Sequence, residues 1–215
     1  PARIAQEMRI LHEKHGVYSV RFADSTFTID RKWLLELCKI LQSLDMDVAW
    51  EANARADTID EHVLTEMKKA KCVSVTIGVE SGDENVLRIN KKNQNLDQVR
   101  SAFRDLRKVQ MFSWAFFMIG CMGETKESIK KTIDFALELE PDQVSVCAYA
   151  TPYPGTEFYE LVKKEASIED IPWEDFHHSR KIIYVPQGLT ETDIEDGKKL
   201  FFEMYQTDEK TYKRD

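Results

Sequence analysis

Apolar residues along this chain follow two rhythms: short runs rich in Val, Ile, Phe and Trp, and longer stretches where they recur every three or four positions. Residues 17–22, 48–52, 73–77, 113–119 and 143–148 are the short runs and predict five strands. Between them, residues 30–44 set Trp33, Leu34, Leu37, Cys38 and Leu41 on one helical face, with Asp30 placed as an N-cap. The same spacing recurs over residues 58–70 through Ile59, Val63, Leu64 and Met67, and over 96–109 through Val99, Phe103 and Leu106. Residues 125–139 repeat it through Ile129, Ile133, Ala136 and Leu137, and Pro141 ends that helix. Residues 1–15 carry Ile4, Met8 and Leu11 at helical spacing. Strand followed by helix, repeated, is the pattern of parallel βα units. Periodicity alone fits an open doubly wound sheet and an arc of a barrel equally well.

After residue 165 the rhythm breaks. Pro172-Trp173, His177-His178 and Pro186-Gln187-Gly188 punctuate an irregular stretch with one predicted strand at 181–185, and a last helix over 191–206 carries Ile194, Leu200, Phe201 and Met204. We read residues 1–165 as a core and 166–215 as an extension packed on it.

Composition narrows the function classes. The chain has 215 residues, 42% hydrophobic and 32% charged, which suits a globular α/β protein. A net charge of −8 argues against a general nucleic-acid surface, because such affinity rests on Lys and Arg neutralising phosphates. No apolar run reaches the roughly 18 residues of a membrane helix, and no signal-peptide pattern opens the chain, so the expected compartment is the cytoplasm. The pairs His177-His178 and His12/His15 have no third ligand at metal-binding spacing and read as surface histidines.

Chemistry in parallel α/β folds sits beyond the carboxyl ends of the strands. Four segments end there: Val20-Arg21-Phe22-Ala23-Asp24-Ser25-Thr26-Phe27, Ile77-Gly78-Val79-Glu80-Ser81-Gly82, Phe117-Met118-Ile119-Gly120-Cys121-Met122-Gly123-Glu124-Thr125 and Pro152-Tyr153-Pro154-Gly155-Thr156. In series they resemble the radical S-adenosylmethionine (SAM) superfamily, in its methylthiotransferase-like and cobalamin-associated branch, from about Ile4 to Glu165. The resemblance implies a partial TIM-type (β/α)6 barrel in which this chain supplies the equivalents of strands two to six. Residues 1–15 would then be the helix after the first strand and its cluster loop. That loop in the family holds a four-iron, four-sulfur cluster on C-x3-C-x2-C. Here the cysteines are Cys38, Cys72, Cys121 and Cys147, separated by 34, 49 and 26 residues, which excludes a local cluster loop.

On this reading Asp24 would hold the amino group of the cofactor's methionine portion, with a turn or N-cap role as the alternative. Glu51 and Arg55 alternate with Asn53 on one side of an extended chain; an acid there suits ribose hydroxyls and a guanidinium suits a carboxylate, while a local salt bridge is the competing role. Glu80 and Ser81 follow a strand in a G-x-E-S-G turn, and Lys91 resembles the cation that meets the cofactor's carboxylate, with Lys92 able to serve. Gly120 opens a segment resembling G-x-P-G-E-T, with Met122 replacing proline, where glycines let backbone approach the adenine and Glu124 reads as a helix-start residue. Tyr153 supplies an aromatic wall in a proline-rich turn.

The resemblance implies an enzyme that cleaves SAM reductively to a deoxyadenosyl radical, acting on a small molecule, with an electron donor such as flavodoxin or ferredoxin and with cobalamin as a second cofactor. The chain alone, without cluster ligands, is expected to be inactive. Two other classes fit the residues: a cluster-free TIM-like enzyme using the carboxylates of Glu51 and Glu80, and a non-catalytic binding barrel.

Overall fold

The computed structural model describes residues 1–147, 150–165, 168–177 and 181–206. Among these, five parallel strands form one sheet: β1 (Ser19–Phe22), β2 (Ala49–Ala54), β3 (Cys72–Glu80), β4 (Phe112–Met118) and β5 (Gln143–Cys147). The helices are α1 (Ala2–His15), α2 (Arg31–Ser43), α3 (Glu61–Lys69), α4 (Glu84–Ile89), α5 (Leu96–Lys108), α6 (Lys126–Leu139), α7 (Glu157–Glu165) and α8 (Glu191–Gln206). Strand order runs β1-β2-β3-β4-β5 without a reversal. A doubly wound sheet reverses its order at a switch point, so this sequential order selects the barrel-type arc that periodicity left open.

Caps set most boundaries. Asp30 accepts from the Trp33 amide, Asp83 from those of Asn85 and Val86, and Asn95 with Gln98 forms a reciprocal capping box before α5. The helix expected over 58–70 begins later, at Glu61, because Asp60 caps it through the Val63 amide and a 3₁₀ turn occupies Ala56–Thr58. The strand expected at 181–185 is absent: Tyr184 packs edge-on against Phe158 of α7, so this segment contributes side chains and no ladder. Ala148, at the end of the fifth predicted strand, and His178 lie outside the described residues.

Packing divides the chain into two compact units. The first comprises residues 1–79, 94–115 and 139–143. Its core is Trp50 with Leu34, Leu37, Cys38, Leu64, Met67, Phe103 and Leu106, all buried. Trp50 satisfies its indole N–H on the Ala70 carbonyl at 2.6 Å, which lets a large aromatic be fully buried without an unpaired donor. On β2 the buried residues Trp50, Ala52 and Ala54 alternate with Glu51 and Asn53, so the other sheet face is polar. Parallel register sets Arg21 beside Glu51, Glu51 beside Ser74 and Asn53 beside Thr76.

The second unit comprises residues 80–93, 116–138 and the described residues from 144 onward. Phe117, Ile119, Ile133, Ile194 and Phe201 are buried in it, with the Phe117 and Phe201 rings 5.2 Å apart. The inward face of α8 is Ile194, Gly197 and Phe201, whereas Leu200 is exposed. A Cβ on Gly197 would stand 3.0 Å from Ile129 Cγ2, so glycine lets α8 lie close to α6.

Candidate functional site at the strand ends

In the first unit, strand-end residues are tied by local polar contacts. Asn53 donates its side-chain amide to the Asp24 carbonyl at 2.9 Å, and its own carbonyl accepts from the Phe27 amide at 2.9 Å. Phe27 stacks on Phe22 with centroids 4.2 Å apart, which anchors the loop over β1 and leaves the Asp24 side chain exposed. Glu51 lies 3.7 Å from the Arg21 guanidinium, and Arg55 grips Asp57 with two hydrogen bonds of 2.9 and 2.8 Å. That fork holds the Arg55 pKa above its ordinary value.

The second unit concentrates unusual features. Glu80, at the end of β3, has φ 67, a left-handed conformation that a bulky side chain adopts only when its surroundings impose it. Its carboxylate accepts from Lys92 Nζ at 3.0 Å, and both side chains are more than three-quarters buried, at 24% and 21% exposure. Lys91, also at positive φ, is exposed and pairs with Glu157. Of the two neighbouring lysines, the one at Glu80 is therefore Lys92.

Ser81 is buried, with its hydroxyl 3.1 Å from that of Thr132, and Gly82 donates its amide to Thr132 Oγ1 at 3.0 Å. Glycine is required at 82, because a Cβ there would meet the Lys131 carbonyl at 2.5 Å and Phe135 Cβ at 2.7 Å. Asp83 pairs with Lys131 at 2.7 Å; burial opposes its ionisation, but Lys131 and the Val86 and Asn85 amides hold its carboxyl below the usual range.

Gly120 has φ 88 and donates its amide to Glu124 Oε2, which also accepts from the Cys121 amide at 3.0 Å. Glu124 thus folds back over its own loop and does not simply open α6. Its other oxygen, Oε1, is buried without a partner, and burial pushes the carboxyl up to about 7 against the two amides. The loop is tied to α4 as well: Asn90 donates to the Met122 carbonyl at 2.9 Å, and a Cβ on Gly123 would strike Ile89 Cδ1 at 2.3 Å. Tyr153 is partly exposed, and its carbonyl accepts from the Thr156 amide at 3.2 Å at the start of α7.

Thr132 and Glu124 were not among the site residues expected from sequence. Thr132 had one legible signal, a hydroxyl on the otherwise apolar stripe Ile129, Ile133 and Ala136. Glu124 lies in the segment resembling G-x-P-G-E-T, but an acid at a helix start is favoured for ordinary reasons, and that role took precedence.

The described residues do not fit an iron–sulfur cluster. Among the described residues no three of His, Cys, Asp and Glu are grouped as metal ligands. Cys38, Cys72 and Cys121 are buried, and burial pushes the Cys38 thiol up to about 12 and raises that of Cys72 further, disfavouring the thiolate a metal needs. No described helix is long and apolar enough to cross a membrane.

Comparison with known proteins agrees with the strand-end pattern. The family model of the radical SAM superfamily matches residues 1–136. The uncharacterized methyltransferase PH0819 of Pyrococcus horikoshii is 30% identical over 174 residues, covering 81% of this chain and 38% of the relative. The anaerobic magnesium-protoporphyrin IX monomethyl ester cyclase of Cereibacter sphaeroides is 29% identical over 201 residues, covering 92% and 32%. The chain therefore spans about a third of the length of these curated relatives. Among solved structures, the radical SAM methyltransferase TsrM from Kitasatospora setae, with cobalamin and a [4Fe-4S] cluster bound, superposes with TM-score 0.59 at 17% identity, over 67% of this chain and 28% of that one. Sequential parallel strands, a strained Glu-Ser-Gly turn after β3, a glycine loop after β4 and a family match across more than half the sequence lead to one conclusion: the chain belongs to the radical SAM superfamily.

Proposed function

We propose that this chain forms the SAM-facing arc of a radical SAM enzyme in which the cluster is held elsewhere in the whole protein. Such a cluster, when bound, supplies the electron that cleaves SAM to a deoxyadenosyl radical. The chain's own contribution is to bind, orient and shield. Glu80 and Lys92 offer an anion and a cation 3.0 Å apart, a complementary pair for the ammonium and carboxylate of the methionine portion. In the second unit the loop opening at Gly120 supplies close-approach backbone for the adenine, Tyr153 an aromatic wall, and Ser81 and Lys91 are assigned to the turn and helix that follow β3; in the first unit Asp24, Glu51 and Arg55 are assigned to its own strand ends. Residues 1–165 are the catalytic core on this reading and 166–215 its extension. The whole protein would work in the cytoplasm on a small molecule with a flavodoxin or ferredoxin donor. The methyltransferase and cyclase relatives favour that branch, and TsrM favours cobalamin as a second cofactor.

The observation that carries this reading is the left-handed Glu80 facing a largely buried lysine at a strand end. Without a cluster to chelate the amino and carboxylate groups, the remaining contacts must offset an immobilisation cost of about 4–15 kcal/mol, so this chain alone binds SAM weakly and is inactive. Amide NMR spectra recorded during SAM titration test it. Shifts confined to the strand-end loops, weakened about tenfold by Glu80→Gln or Lys92→Met, are expected. Spectra indifferent to SAM, or variants that bind as the parent does, contradict it.

A further inference from the structure

Behind the Glu80–Lys92 pair, α6 holds the turn that follows β3. Thr132 is fully buried, and its hydroxyl donates to the Ser128 carbonyl at 2.9 Å. Its proton being committed there, Oγ1 is an acceptor for the Gly82 amide at 3.0 Å and for the Ser81 hydroxyl at 3.1 Å. Ser81 Oγ in turn accepts from the Asp83 amide at 3.1 Å. Every proton in this buried network therefore has one place to go. The turn has no slack either, since a Cβ on Gly82 would lie 2.5 Å from the Lys131 carbonyl and 2.9 Å from Thr132 Cα. Glu80, one residue before this clamp, is the non-glycine residue held at φ 67. Thr132 stands where the stripe of Ile129, Ile133 and Ala136 asks only for an apolar side chain, and a valine would fill the same volume.

We propose that Thr132 is a positioning residue: through Ser81 and Gly82 it keeps Glu80 left-handed, which aims the carboxylate at Lys92. The inference rests on the reading that this pair faces the ligand, yet it can be tested without ligand. Thr132→Val keeps the shape and removes the acceptor, whereas Thr132→Ser keeps the hydroxyl. Acetylation of each lysine of the whole chain by an N-hydroxysuccinimide ester, followed by peptide mass spectrometry, reads the pair. Lys92 is expected to react about fivefold faster in Thr132→Val, the population shift that one lost net hydrogen bond brings. Exposed Lys91, next to it in sequence, is the control and should be unchanged, and Thr132→Ser should react as the parent does. Ser81→Ala cuts the same network from the other side and should release Lys92 likewise, which keeps the test alive should Thr132→Val fail to fold. Parent-like Lys92 reactivity in both Thr132→Val and Ser81→Ala, a uniform rise across all lysines, or Thr132→Ser behaving as Thr132→Val overturns the proposal. SAM titration of the same variants separates the two readings: Lys92 released with SAM shifts unchanged supports the clamp and removes the ligand assignment.

Discussion

Glu124 is the residue whose chemistry departs furthest from its sequence expectation. A helix-start acid is ordinarily solvated, but this one is buried, holds the Gly120 and Cys121 amides on one oxygen and leaves the other without a partner. The charged group facing it is Asp83, itself paired with Lys131. Because burial raises its folded-state value from 4.5 to about 7, the folded chain favours the neutral carboxyl. The stability this contributes is complete below the unfolded value and is lost as pH rises through the folded one. Chemical denaturation between about pH 5.5 and 8.5 should therefore show a loss on the order of 2 kcal/mol that Glu124→Gln abolishes. A flat profile for the parent, or the same slope in the variant, would show that Glu124 is solvated or otherwise paired. None of this was legible in sequence, since burial of one carboxylate depends on how a loop folds over it.

At the scale of elements, the sequence was readable wherever a strong period met a good cap. Strands and long helices follow the two hydrophobic rhythms, and Asp30 caps α2 as expected. Reading failed where tertiary contacts choose between near-equal options. Residues 181–185 have strand-like composition but pack on α7 through Tyr184, and α7 itself, opening on the Thr156 hydroxyl that accepts from the Tyr159 amide, went unread beside its proline-rich turn. The G-x-E-S-G turn was legible as special, although its glycine proves to serve helix packing: Gly82 lies against α6. Gly82→Ala should destabilise the chain by about 2–3 kcal/mol through overpacking. Gly188→Ala, at φ 88 with nothing within 4 Å of the added Cβ, should cost only about 1 kcal/mol of backbone strain. Melting curves of the two variants compare packing with strain, and equal losses would remove the packing explanation for Gly82. Asn95→Ala, which breaks the capping box before α5, should cost about 1 kcal/mol in the same assay.

For the whole molecule, fold and chemistry are carried by different stretches of sequence. Sequential parallel strands and strand-end motifs define the radical SAM barrel type, and that much was readable from residues 20–27, 77–82, 117–125 and 152–156. The cluster requires three thiolates brought close together, and here Cys38, Cys72 and Cys121 are each buried and far apart in sequence. The chain spans 38% and 32% of two curated relatives, so substrate and partners belong to the whole protein. Anaerobic reconstitution of this chain with iron and sulfide, read by its visible spectrum and by iron analysis, separates the SAM-facing arc from the cluster-holding machinery. The chain should emerge without a charge-transfer band and without stoichiometric iron; a stable four-iron cluster would show that its own residues hold the metal and that the division of labour proposed here is wrong.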